Sequence, residues 1–206
     1  MLTIWGRANG LNPQKLMWCV AELRLDYVRI DHGGKFGGND ADWYRAMNPN
    51  GRVPTIDDNG FVLWESNTIM RYLCEKHGNA DLWPSDIQDR ALCSKWMDWQ
   101  LGTLRESVMP IFYQLIRKTP EQRDTALLKT SIEIAAGHFR ILDRQLAETP
   151  YLAGDHLTLA DMGNGVLTWR WFNLDIERSA VPHVRDWFER LQQRPAYREH
   201  VMMPLT

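Results

Sequence analysis

Apolar positions in the first 78 residues switch between two periods. Leu2 and Ile4, with Thr3 and Trp5, form a short β-type run that Gly6 closes. Leu16, Met17, Val20 and Leu23 then recur at helical spacing. Asn12-Pro13 precedes them and suits a helix start, because Asn is a favoured N-cap and Pro fits the first helical position. Residues 27–30 (Tyr-Val-Arg-Ile) alternate and are β-rich, so they read as a second strand. Two strands joined by a helix predict a parallel pair with a right-handed crossover. Residues 31–50, carrying Gly33-Gly34 and Gly37-Gly38, read as an irregular connection. Residues 53–56 and 61–64 are apolar runs separated by Asp57-Asp58-Asn59-Gly60, and Asn-Gly in that place signals a hairpin. Ile69, Met70, Tyr72 and Leu73 mark a helix that starts near Ser66 and ends at Gly78.

The pattern changes near residue 80. Residues 80–86 form a turn-rich linker in which Pro84 breaks any continuing helix. Beyond it the spacing predicts long helical stretches over 87–117 and 121–148, punctuated by Thr119-Pro120. Shorter helices follow at about 158–173, 182–193 and 195–201, and no strand is predicted. The chain therefore reads as an α/β domain of βαβ-ββα order over residues 1–79 and an all-helical domain over 87–206.

Composition narrows the class. The 206 residues are 44% hydrophobic and 24% charged with net charge −2, which gives no electrostatic footprint for nucleic acid or a membrane surface. No apolar run approaches the ~20 residues of a spanning helix, and no signal pattern opens the chain, so a cytoplasmic protein is expected. Cys19, Cys74 and Cys93 lie far apart without a CxxC, and the six histidines form no metal-type pair, so neither disulfide framework nor metal site is expected. Cys19 falls within the first helix and reads as a small buried hydrophobe.

Three motifs carry a family resemblance. They are Asn48-Pro49-Asn50-Gly51-Arg52-Val53-Pro54, then Trp64-Glu65-Ser66-Asn67, then Leu157-Thr158-Leu159-Ala160-Asp161-Met162. In that order and on those elements the chain resembles the cytosolic glutathione S-transferase family over essentially its full length. The resemblance implies a thioredoxin-like first domain that binds glutathione as a substrate, no metal, a homodimer, and conjugation of the thiol to a small hydrophobic electrophile. It also implies a cis bond at Val53-Pro54, whose preceding backbone could pair with an extended peptide; the residues alone allow a trans proline opening an edge strand. Glu65 and Ser66, at a helix N-terminus, suit the ammonium and carboxylate of a γ-glutamyl group, although a bare Glu-Ser is equally a simple cap. Arg52 and Lys35 are candidates for further glutathione contacts, and Asp98 for reaching the ligand of a partner subunit.

The family's thiol-stabilising Tyr, Ser or Cys is missing from residues 7–15. Lowering a thiol pKa by about two units needs roughly 2.7 kcal/mol of preferential thiolate stabilisation. Asn12 is the leading candidate for that role, with Asn9 and Arg7 in reserve; the plain alternative is that Asn12 only caps its helix. Leu11, Arg105, Met109, Phe112, Tyr113, Trp169 and Phe172 are the expected acceptor pocket, each equally able to be helical core. Thr158 and Asp161 form a capping box with a structural role. Two other readings stay open: a glutathione-dependent disulfide reductase or peroxidase, and a non-catalytic scaffold.

Overall fold

Buried Leu2 and Ile4 alternate with half-buried Thr3 and Trp5, and this seats strand β1 (Leu2–Trp5) inside a four-stranded sheet. The computed structural model describes residues 1–206. Helix α1 (Leu11–Glu22) carries the chain to β2 (Tyr27–Ile30), parallel to β1 with Leu2 opposite Tyr27. Strand β3 (Thr55–Asp58) runs antiparallel to β1 on its other side and turns into β4 (Phe61–Trp64), giving the order β2-β1-β3-β4. The turn is the predicted Asn-Gly hairpin, with φ of 54° at Asn59 and 92° at Gly60. Helix α3 (Ser66–Lys76) completes the βαβ-ββα unit.

The 31–50 connection is more ordered than expected. It holds a 3-10 turn (Gly34–Phe36) and helix α2 (Asp42–Met47). Tyr44 is the one buried side chain of α2, and its hydroxyl donates to the Arg52 carbonyl at 2.7 Å. A six-residue helix held by one side chain leaves no periodicity to read.

The helical half follows its predicted spans. Helices α4 (Ile87–Trp99) and α5 (Arg105–Phe112) form one rod with wider turns at Gln100–Leu104 and Tyr113–Arg117. Helix α6 (Thr125–Glu148) starts four residues later than expected, because Asp124 is the cap and accepts from the Leu127 N–H at 2.9 Å. Helices α7 (Leu159–Asn173), α8 (Pro182–Gln192) and α9 (Pro195–His200) complete the chain. No helix is long and apolar enough to cross a membrane.

Helix α7 is buried on nearly every side. Its start is fixed by the Thr158/Asp161 capping box. The Asp161 carboxylate accepts from the Thr158 N–H (2.9 Å), the Leu152 N–H (3.1 Å) and the Trp187 indole N–H (3.0 Å). Complete burial lifts that carboxyl to about 6 despite these donors. A Cβ on Gly165 would lie 2.9 Å from Leu191 and 3.0 Å from Trp18, and one on Gly163 would lie 2.4 Å from Gln100. These two glycines let α7 settle against α1 and the α4–α5 rod. Tyr197 donates to the Gly165 carbonyl at 2.8 Å, and Arg194 grips Glu22 through two 2.7 Å bonds, so α9 holds the same seam. Met70 and Trp96 are buried in the subunit's own core, not left on the surface as dimer-facing side chains.

Removing the Asp161 carboxylate orphans three buried donors, each costing about 1–3 kcal/mol, whereas losing one cap hydroxyl costs about 1 kcal/mol. Urea unfolding is therefore expected to show Asp161→Ala losing at least about three times the stability lost by Thr158→Ala. Equal losses would contradict the role given to this carboxylate.

Candidate functional site

The N-terminal turns of α1 and α3 converge on the loop that enters β3. Helix α1 begins one residue earlier than the sequence suggests: Gly10 is its cap, and the Gln14 N–H donates to the Gly10 carbonyl at 2.8 Å. Asn12 thus lies inside the first turn and is not the N-cap. Its side-chain amide has no partner in the chain, and its Oδ1 is buried. Glu65, with φ of 71°, occupies the cap position of α3 and makes no capping bond. Ser66 is the first residue of that helix, only 3% exposed, so it does not act as the cap either. The first α3 N–H with an acceptor is that of Ile69, which donates to the Glu65 carbonyl at 2.9 Å. The preceding N–H groups are left for another acceptor.

The loop is pinned from behind. Tyr44 and Asn48 both donate to the Arg52 carbonyl, at 2.7 and 2.8 Å, and Asn48 also donates to Thr55 Oγ1 at 3.0 Å. The Val53-Pro54 bond is cis, and the Val53 N–H and C=O make no hydrogen bond within the chain. A cleft of about 50 Å³ results, lined by Asn12, Arg52, Val53, Pro54, Glu65 and Ser66 together with Asn48 and Asn50.

Behind this cleft lies Lys15, which is completely buried. Its ammonium donates to Asn67 Oδ1 at 2.8 Å and Gln100 Oε1 at 3.3 Å, tying α1 to α3 and the α4–α5 rod. Burial pushes its pKa down to about 7; Glu65 opposes that shift, and Arg105 and Arg71 add to it. Neither Lys15 nor the clamps Tyr44 and Asn48 were expected from the sequence.

A larger cavity of about 190 Å³ adjoins the cleft and shares Asn12, Arg52 and Val53 with it. The expected acceptor residues Leu11, Arg105, Met109, Phe112 and Tyr113 line it, as do Arg7 and Asn9. Trp169 and Phe172 do not. The Trp169 indole donates to the Met203 carbonyl at 3.0 Å, and Phe172 stacks on Phe188 with centroids 4.9 Å apart. The α7 residue facing the cavity is instead Arg170, and Arg117 also lines it. Lys35 lines neither space; its ammonium lies over the exposed Phe36 ring at 5.0 Å. Asp98 is exposed and reaches Arg71 at 3.4 Å. All three cysteines are reduced and buried, and no cluster of His, Cys, Asp or Glu could hold a metal ion.

Comparison with known proteins gives a consistent picture. The sequence profile "Glutathione S-transferase, N-terminal domain" matches residues 11–76, and "Glutathione S-transferase, C-terminal domain" matches residues 104–195. The chain is 38% identical to glutathione S-transferase GstB of Escherichia coli K12 over the whole of both sequences. It is 35% identical to glutathione S-transferase D7 of Drosophila melanogaster over 69% of this chain and 62% of that one. Among solved structures, it superposes on a theta class glutathione S-transferase of Xanthomonas axonopodis pv. citri with glutathione bound, at a TM-score of 0.95 and 41% identity, covering 100% of this chain and 99% of the other.

Lys15 yields a pH prediction. In the folded chain it gives up its proton near 7, whereas the unfolded chain holds that proton to about 10.5. The unfolded state binds the extra proton in this window, so stability rises with pH across it, by at most about 1.4 kcal/mol per unit. Chemical denaturation of Lys15→Met between pH 7 and 9 is expected to show a flatter rise than the wild type; matching slopes would contradict a deprotonated buried lysine.

Proposed function

The chain belongs to the glutathione S-transferase family, and from that premise we propose that it binds glutathione in the 50 Å³ cleft, ionises its thiol and conjugates it to an electrophile held in the larger cavity. One observation carries the reading: two helix N-termini without side-chain caps bring the unpaired Asn12 amide and the Ser66 hydroxyl to the same cleft as the unpaired Val53 backbone. Ser66 and the free N–H groups of α3 hold the γ-glutamyl carboxylate, where the helix dipole favours negative charge. Glu65 accepts from the γ-glutamyl ammonium. The Val53 N–H and C=O pair with the cysteinyl backbone as an added strand would. Arg52 meets the glycyl carboxylate, with Lys35 reaching it only if the glycine-rich loop turns inward.

Asn12 donates its amide N–H to the thiolate. One such bond near the positive end of α1 supplies the roughly 2.7 kcal/mol that a two-unit pKa drop requires. The thiolate attacks the electrophilic carbon, the C–S bond forms, and the leaving group departs with its bonding pair. In this reading residues 1–79 hold glutathione, 80–86 link the halves, and 87–206 supply the acceptor wall. The working unit is a cytoplasmic homodimer in which the exposed Asp98 approaches the partner's ligand. Burial of all three cysteines disfavours a protein dithiol relay, so disulfide or peroxide reduction is not the main activity.

Steady-state kinetics with 1-chloro-2,4-dinitrobenzene separate the roles. Ser66→Ala is expected to raise KM for glutathione about 10-fold or more with little change in kcat, as loss of a charge-assisted hydrogen bond does. Asn12→Ala is expected to lower kcat about 10- to 100-fold and move its alkaline-side rise to higher pH. Wild-type constants in both variants would leave only a binding scaffold.

A further inference from the structure

The wall of the larger cavity is more cationic than a site for a neutral electrophile requires. Five arginines line it, Arg7, Arg52, Arg105, Arg117 and Arg170, and no Asp or Glu does. The protein as a whole carries net charge −2, so this concentration is local. Only Arg105 has a carboxylate partner, the exposed Glu106 at 2.5 Å; the other four make no ion pair.

Arg170 is the most telling of the five. It is 3% exposed, and its guanidinium meets only neutral acceptors: Gln14 Oε1 at 2.7 Å, the Val166 carbonyl at 3.2 Å and the Asn9 carbonyl at 3.5 Å. Its Nε is buried without any partner. Burial without a counter-charge depresses its pKa to about 10. A desolvated cation with an open donor beside a cavity is incomplete until an anion arrives. Arg117 and Arg170 both pack on the Phe112 ring, at 5.6 and 5.8 Å from its centroid, so the cationic wall has an aromatic surface between its charges.

Glutathione accounts for part of this charge and not the rest. Arg52 also lines the glutathione cleft, and Arg7 lies against Gly34 at the glycine-rich loop. Arg105, Arg117 and Arg170 come from the helical half and do not line that cleft. Resting on the transferase reading above, we infer that the second substrate is an anionic electrophile, an organic halide bearing a carboxylate, whose charge Arg105, Arg117 and Arg170 hold while the glutathione thiolate displaces its halide. The C–S bond forms as the C–halogen bond breaks, halide leaves with the bonding pair, and the thiol proton has already gone to solvent. The cationic wall holds the acceptor carboxylate and offsets the repulsion between two anions that would otherwise oppose the encounter.

The test compares 4-chloro-3-nitrobenzoate with the neutral 4-chloro-3-nitrobenzamide, each kcat/KM divided by the uncatalysed rate with glutathione. The wild type is expected to favour the benzoate by at least about 10-fold, as one charge-assisted contact suffices to give. Arg117→Gln and Arg105→Gln are expected to lower the benzoate figure about 10-fold, leave the benzamide within about 2-fold, and leave KM for glutathione unchanged. Equal processing of both substrates, or equal losses on both in the variants, would overturn the inference while leaving the transferase intact. No turnover of either substrate overturns it as well; if bound glutathione then also keeps an ordinary thiol pKa, the transferase reading falls with it.

Discussion

The contact between α7 and α1 at Gly165 fixes how the helical half sits on the sheet half. Trp18 and Leu191 occupy the space a side chain there would need, so the two helices lie nearly backbone to side chain. That approach carries Arg170 to Gln14 and brings the α7 face of the cavity opposite Asn12. Asp161 sets where α7 begins, and Trp187 donates to the same carboxylate, so start point and depth of insertion are fixed together. The core is continuous through this seam, with Trp18 and Tyr197 edge to face at 4.7 Å. Relative domain motion, the usual expectation for small polar interfaces, is therefore not built into this fold.

On that frame the site spends stability for readiness. Lys15 and Arg170 are buried cations without a carboxylate at hydrogen-bonding distance, an arrangement that folding alone would not favour. The α1 and α3 N-termini lack side-chain caps, each typically worth about 1 kcal/mol. Donors left open in this way lie around the two adjoining spaces, where an anionic tripeptide and an anionic electrophile would close them. Local rules of stability fail here and hold elsewhere, as expected of a functional site.

Most of the fold was legible because each strand and long helix buries one face, and burial writes its period into the sequence. Helix α2 was not, since only Tyr44 is buried on it. The Val53, Pro54, Glu65 and Ser66 group was legible as a linear motif on elements that could be placed. Asn12 was found, but its helix phase was off by two positions, because Gly10 and not Asn12 begins the turn. The acceptor wall was half legible. At about 100° per residue, Trp169 and Phe172 face away from the direction taken by Arg170, and nothing local to the sequence says which direction meets the cavity. Lys15 was invisible for a related reason: a lysine within an apolar stretch gives no sign that Asn67 and Gln100 wait to receive it.

The central claim is that this site lowers the pKa of a bound thiol without a Tyr, Ser or Cys to help. An ultraviolet thiolate-absorbance titration of glutathione bound to the purified protein tests it directly. The account predicts a bound-thiol pKa about two units below that of free glutathione, consistent with one amide donor at a helix N-terminus. Tight binding with an unshifted thiol would contradict it.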